Sequence, residues 1–176
     1  RVKINAVAMQ GQIEEELIDF VRLTRDLPLH VRFIEFMPFT GNHWQAKQVI
    51  TAAQMLEWVK KEVEVVKLED KTHDTAKKYQ VPGYAGTLAF ITTMSEHFCG
   101  SCNRLRLTAD GKIKNCLFGK EELDLLCTLR QGQEVTPLIL QSLARKHAAL
   151  GGQFSQDYTQ ANPDTIENRS MINIGG

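Results

Sequence analysis

The sequence predicts an α/β fold, and three observations carry that reading. A β-forming run, an amphipathic helix and a second β-forming run follow one another within residues 2–36. A Pro- and Gly-containing loop, residues 38–43, stands at the carboxyl end of the second run, where α/β folds carry their chemistry. Further strand-like and helix-like stretches follow, interrupted by a cluster of cysteines.

Residues 2–7 (VKINAV) alternate and include β-formers, so they read as a strand. Residues 12–26 read as a helix, because Ile13, Leu17, Phe20, Val21 and Leu23 recur at helical spacing and acids fill the first turn. Pro28 marks its end. Residues 30–36 (HVRFIEF) form the next strand, and strand–helix–strand at this length is a βαβ unit with parallel strands and a right-handed crossover. Residues 51–63 read as a helix with Thr51 as N-cap, and residues 64–68 as a short strand. The charged stretch 69–78 reads as an exposed loop or ragged helix, residues 81–84 (VPGY) as a turn and residues 87–93 (TLAFITT) as a strand. Residues 121–130 and 136–150 read as two helices, the second ended by Gly151-Gly152. The polar last 24 residues show little periodicity. The division that suggests itself is 1–70 and 71–176.

The chain has 176 residues, enough for a real core. Lys plus Arg and Asp plus Glu number 21 each, so the net charge is zero, which argues against a nucleic-acid binder acting through bulk charge. No apolar run approaches the roughly 20 residues that span a bilayer, and no signal peptide is visible at the start.

Cys99, Cys102 and Cys116 fall within 18 positions, in a chain without cysteine before residue 99. Their C-x₂-C-x₁₃-C spacing suits a metal or redox centre better than a secreted disulfide scaffold. Cys-x-x-Cys is the tight loop by which two thiolates reach one centre. A hairpin turning at Ala109-Asp110-Gly111, with Gly111 left-handed, would bring the third cysteine back. Thr108 then pairs with Lys112 and Arg104 lies opposite Cys116, with Cys102, Arg104, Arg106 and Cys116 on one face and Leu105 and Leu107 on the other. Three thiolates on a four-iron cluster leave one iron for a substrate atom. Two guanidiniums beside it match phosphate. Such a face suits a small anionic, nitrogen-bearing ligand such as a nucleotide.

Other readings stand beside this one. A thioredoxin-like Cys-x-x-Cys opens a helix, whereas a strand follows here. A structural zinc site is complete if His97 joins the three cysteines, and the residues alone leave zinc and iron–sulfur open. Arg104-Leu105-Arg106-Leu107 is also what any half-exposed strand looks like. Cys127, among leucines on a helix, reads as a buried small hydrophobe.

Residues 96–119 (EHFCGSCNRLRLTADGKIKNCLFG) closely resemble the C-terminal cluster motif of the GTP 3′,8-cyclases (the MoaA family). VKIN at 2–5 and RFIEFMPFTGN at 32–42 resemble late barrel strands of that family, and the terminal MINIGG its diglycine end. The resemblance implies the C-terminal part of an incomplete (β/α) radical-SAM barrel followed by an α+β iron–sulfur-binding region. It implies a lyase of molybdenum cofactor biosynthesis. In that family one 4Fe–4S cluster cleaves S-adenosyl-L-methionine to a 5′-deoxyadenosyl radical, which converts GTP to 3′,8-cyclo-7,8-dihydro-GTP. A second 4Fe–4S cluster holds the guanine.

By the same resemblance Cys99, Cys102 and Cys116 match the ligands of that second cluster. Arg104, Leu105 and Arg106 match a GTP-contacting segment, Lys3 a GTP-contacting lysine and Arg32 a basic residue near the triphosphate. Met37 matches a residue touching S-adenosyl-L-methionine. Gly175-Gly176 match a tail that approaches the active site. A homodimer and a downstream cyclic pyranopterin monophosphate synthase are the implied protein partners, with neither nucleic acid nor membrane among them. The implied compartment is cytoplasmic, or mitochondrial in a eukaryote. The N-terminal C-x₃-C-x₂-C set of the first cluster is absent, so this chain is expected to be catalytically incomplete. The alternative is a non-catalytic Cys₃His zinc module.

Overall fold

In the computed structural model the chain folds as a mixed α/β protein; the structure describes residues 2–154 and 157–174. Two compact units divide it. One comprises the chain up to Met37 with Gln45–Phe98, and the other Pro38–Trp44 with the residues from Cys99 onward. The division drawn from sequence at residue 70 falls inside the first unit.

The first unit opens with β1 (Lys3–Ala8), α1 (Ile13–Asp26) and β2 (His30–Glu35). The strands are parallel, Lys3 beside His30 through Ala8 beside Glu35. Glu14, Glu15 and Glu16 occupy the positive end of α1. Thr51 caps α2 (Ala52–Glu62): its Oγ1 accepts from the Gln54 N–H at 3.3 Å, while its own N–H donates to Gln54 Oε1 at 2.9 Å. β5 (Thr87–Ile91) then pairs parallel with β2.

Between them the chain departs from expectation. The end of the stretch 69–78, expected as an exposed loop or ragged helix, instead enters β4 (Ala76–Gln80), antiparallel to β5. β3 (Val66–Lys67) continues the sheet, whose order is β1-β2-β5-β4-β3. The polarity of AKKYQ hid this strand. Ala76 is buried and Tyr79 meets Phe90 edge-on at 5.7 Å, while Lys67 and Lys78 reach Asp70 and Asp74 at the margin.

One face of the sheet is apolar. Ala8, Val31, Phe33, Leu88 and Phe90 pack with Leu17 and Val21 of α1 and Met55 and Val59 of α2, and Phe33 stacks on Phe90 at 5.6 Å. Glu35 is fully buried at the end of β2. It accepts from the backbone N–H groups of Ala52 (2.9 Å), Met94 (2.7 Å) and Ser95 (2.8 Å), and from the Ser95 hydroxyl. One carboxylate thus ties β2, the start of α2 and the segment after β5 together, its charge met by donors as burial requires.

The second unit is built on a three-stranded antiparallel sheet, β6 (Arg106–Leu107), β7 (Lys112–Lys114) and β8 (Leu123–Asp124), in that order. The helix expected over 121–130 is only α3 (Leu125–Arg130), because residues 123–124 pair with β7 instead. Asp124 ends that pairing and caps α3, accepting from the Cys127 N–H at 2.8 Å. Cys127 is exposed, not buried. α4 (Thr136–Ala144) stops six residues before Leu150, so Gly151-Gly152 do not cap it. Phe118 is stacked by Phe39 at 5.7 Å and met edge-on by Phe154 at 5.1 Å. Among the described residues no helix is long and apolar enough to cross a membrane.

Candidate metal centre

The hairpin has the register its turn chemistry implies. Arg106 lies opposite Lys114 and Leu107 opposite Ile113, and the Thr108 N–H donates to the Lys112 carbonyl at 2.9 Å. Gly111 turns at φ +79°, where a Cβ would come within 2.3 Å of the Leu126 side chain. The expected pairing of Arg104 with Cys116 is not part of this ladder, which holds Arg106–Leu107 and Ile113–Lys114. Residues 102–105 are not strand, so regular pairing starts at Arg106. Leu107 is 68% exposed while Arg106 is half-buried, so the alternation turns Arg106 inward.

Cys99 opens a single 3₁₀ turn, Cys99–Ser101, closed by the Cys102 N–H donating to the Cys99 carbonyl at 3.1 Å. Cys99, Cys102 and Cys116 are all free and half-buried. Burial pushes the Cys99 thiol up, the Leu150 N–H (3.4 Å from its Sγ) opposes that, and Cys116 and Cys102 push it further up. Burial also raises Cys102, but the Arg104 N–H, the Lys146 ammonium and the Arg104 guanidinium outweigh it and leave that thiol low. Burial lowers the Arg106 guanidinium, while Cys116 and Cys102 act to raise it. The three sulfurs and the two guanidiniums therefore share one electrostatic neighbourhood.

The segment 145–153 completes this region; the sequence read it as the end of a helix and placed no site residue in it. Lys146 reaches Cys102, and Leu150 supplies the N–H at Cys99. Gly151, at φ +65°, lets the segment press on the hairpin: a Cβ there would lie 2.6 Å from the Gly119 nitrogen. The glycine pair was the available signal, but it marks a close backbone approach, not a helix end.

A second cluster of charge ties the C-terminal segment to the same hairpin. Arg169 holds Asp110 through two nitrogens at 2.8 and 2.9 Å and Glu122 through Nε at 2.6 Å. The Lys114 side chain is only 1% exposed and donates to Asn168 Oδ1 at 3.0 Å, with Glu122 at 3.4 Å. Asn168 in turn donates to the Leu117 carbonyl at 2.9 Å. The matched Gly175 and Gly176 lie outside the described residues.

Lys3, Arg32 and Met37 belong to the first unit. Lys3, Asn5, His30 and Arg32 lie on the sheet face turned away from the helices. Arg32 Nε donates to Asn5 Oδ1 at 2.7 Å, and His30 Nδ1 and Thr87 Oγ1 are 2.7 Å apart. Met37 is half-buried just beyond β2. His97 is also in the first unit, its Nδ1 buried without a hydrogen-bond partner among the described residues.

In donor chemistry the cysteines fit an iron–sulfur cluster: three soft sulfurs, none in a disulfide, set among cations that offset thiolate charge. Among the described residues no group of three or more His, Cys, Asp or Glu side chains is placed to hold a metal ion.

A model of the Molybdenum Cofactor Synthesis C family matches residues 29–151. The chain is 46% identical over 177 residues to "Molybdenum cofactor biosynthesis protein 1" of Homo sapiens, covering 98% of this chain and 27% of that protein. It is 44% identical over 179 residues to "GTP 3',8-cyclase, mitochondrial" of Arabidopsis thaliana (99% and 44%). To "GTP 3',8-cyclase" of Desulforamulus reducens it is 42% identical over 151 residues (82% and 46%). The chain thus spans between 27% and 46% of the length of these relatives.

Proposed function

The chain belongs to the Molybdenum Cofactor Synthesis C family, and from that membership we propose that it is the part of a GTP 3′,8-cyclase that holds a 4Fe–4S cluster and captures GTP. The observation that carries the proposal is the hairpin register, which turns Arg106 toward the region of Cys116 and Cys102 while Leu107 faces solvent. Cys99, Cys102 and Cys116 would hold the cluster. Bound there, it supplies an iron open to a nitrogen or oxygen donor of the purine.

Arg104 and Arg106 bind the anionic part of the nucleotide, since a guanidinium fork matches phosphate oxygens in pairs. Leu105, exposed between them, offers an apolar contact. In the first unit, Lys3 and Arg32 lie on one sheet face, and from the family resemblance we assign each a role in GTP binding. Asn5 holds the Arg32 guanidinium and restricts its rotamers. Met37 is assigned to S-adenosyl-L-methionine. The parallel β1-β2-β5 core supports reading this unit as late strands of a (β/α) barrel, with β4 and β3 as an antiparallel margin.

The test is metal analysis with an absorption spectrum, on protein prepared without oxygen. About four irons and four sulfides per chain, with a broad brown absorption that changes on adding GTP, is the expected result. One zinc per chain and a colourless solution indifferent to GTP would overturn it in favour of a structural zinc module.

A further inference from the structure

Lys146 lies two residues beyond α4, between the exposed Arg145 and His147, yet its own side chain is half-buried. Its ammonium meets three acceptors on another segment. It donates to the Arg104 carbonyl at 2.9 Å and the Cys102 carbonyl at 3.1 Å, and stands 3.7 Å from Cys102 Sγ. An ammonium has three protons, and each has a partner here. A lysine at a helix C-terminus can cap that helix's own carbonyls; this one instead reaches a loop more than 40 residues distant in sequence.

The two carbonyls belong to the residues that carry both functions of the proposed site. Cys102 is a thiolate donor and Arg104 a phosphate fork, and one cation fixes the backbone of both. The same cation lies beside the sulfur. Charges and hydrogen bonds at ligating sulfurs set cluster potential, and outer-shell partners set how firmly the ligands hold.

We propose that Lys146 is the positioning residue of the cluster loop: it clamps the Cys102 and Arg104 carbonyls, and its ammonium stabilises the reduced, more negative state of a cluster held by Cys102. The first half concerns the chain alone; the second rests on the iron–sulfur reading given above.

The test compares the parent chain with Lys146→Met, which keeps the stem and loses the charge, and Lys146→Arg, which keeps the charge. Amide hydrogen exchange over residues 100–106 is measured first, on metal-free protein. Iron content, iron loss to a chelator and midpoint potential follow after anaerobic reconstitution. In Lys146→Met we expect faster exchange in that loop. We also expect roughly tenfold or faster iron loss, as for other outer-shell changes, and a more negative midpoint potential, with Lys146→Arg restoring the potential toward the parent. Unchanged exchange in Lys146→Met overturns the clamp, whatever metal binds. Faster exchange with an unchanged potential overturns the action on the cluster and leaves a purely structural lysine. A parent chain that takes up no iron sinks the cluster reading and with it the second half, while the exchange result still decides the first.

Discussion

Arg106 and Leu107 are neighbours in a run of alternating charge and apolarity, and the strand sends one inward and one to water. Arg104→Ala and Arg106→Ala are therefore expected each to weaken GTP binding by about tenfold or more, from the ~1.5–3 kcal/mol of a charge-assisted hydrogen bond. Iron content should stay unchanged in both. Isothermal titration of the reconstituted chain checks this, and equal affinity in all three proteins would remove the arginines from the site. Glu35 makes a second residue-scale case. Glu35→Gln presents one carbonyl and one NH₂ group to three N–H donors and a hydroxyl, leaving a buried donor facing a donor. A loss of about 3 kcal/mol is expected in urea unfolding of the first unit.

At the scale of elements, the hairpin is held from two sides. Gly151 admits the 145–153 segment to within van der Waals contact of Phe118 and Gly119. Gly151→Val adds both a clash and a strained left-handed β-branched residue. It should displace Lys146 and Leu150 together, read as lost iron retention in a protein that still folds by circular dichroism. On the other side Arg169 binds Asp110 and Glu122. The Arg169 guanidinium hydrogen-bonded to Asp110, with the Thr108 hydroxyl, holds that carboxyl well below its ordinary range. Glu122 is raised by burial but lowered on balance by Arg169 and Lys114. Both folded values lie below the unfolded ones, about 3.9 and 4.3. The clamp is thus fully present above about pH 5 and is lost as pH falls through the unfolded values toward the folded ones. Amide exchange over residues 169–174 should rise on acidification in the parent. In Arg169→Met it should be fast already at pH 7.

At the scale of the molecule, the first unit has the apolar core that its stability rests on. Phe33 is fully buried between Phe20 and Phe90. Phe33→Ala should cost about 3–5 kcal/mol in unfolding of that unit. The chain's four cysteines are the three of the hairpin region and the exposed Cys127, so no second cluster set exists within it. Supplied with S-adenosyl-L-methionine, reductant and GTP, the 176-residue chain is expected to form no cyclised nucleotide. Detection of product by mass spectrometry would contradict that.

Local order was legible where it is set by neighbours in sequence. The αβ alternation of residues 2–36, the Thr51 cap and the hairpin register each follow from side-chain period, cap chemistry or turn geometry, which act over a few residues. The polar strand β4 was not legible, because its partner Leu88–Ile91 supplies the ladder and AKKYQ has almost no apolar signal of its own. Nor were Lys146, Leu150 and Arg169, whose partners stand 42 to 59 residues away in the chain. A lysine, a backbone N–H and an arginine carry no mark of what they will meet. By itself, then, the sequence determined the α/β class and the turn that brings the hairpin strands together, and it singled out the three cysteines that we propose as cluster ligands. Only the tertiary structure decided which distant cations and amides surround those sulfurs, since such contacts arise from packing between segments that no local pattern links.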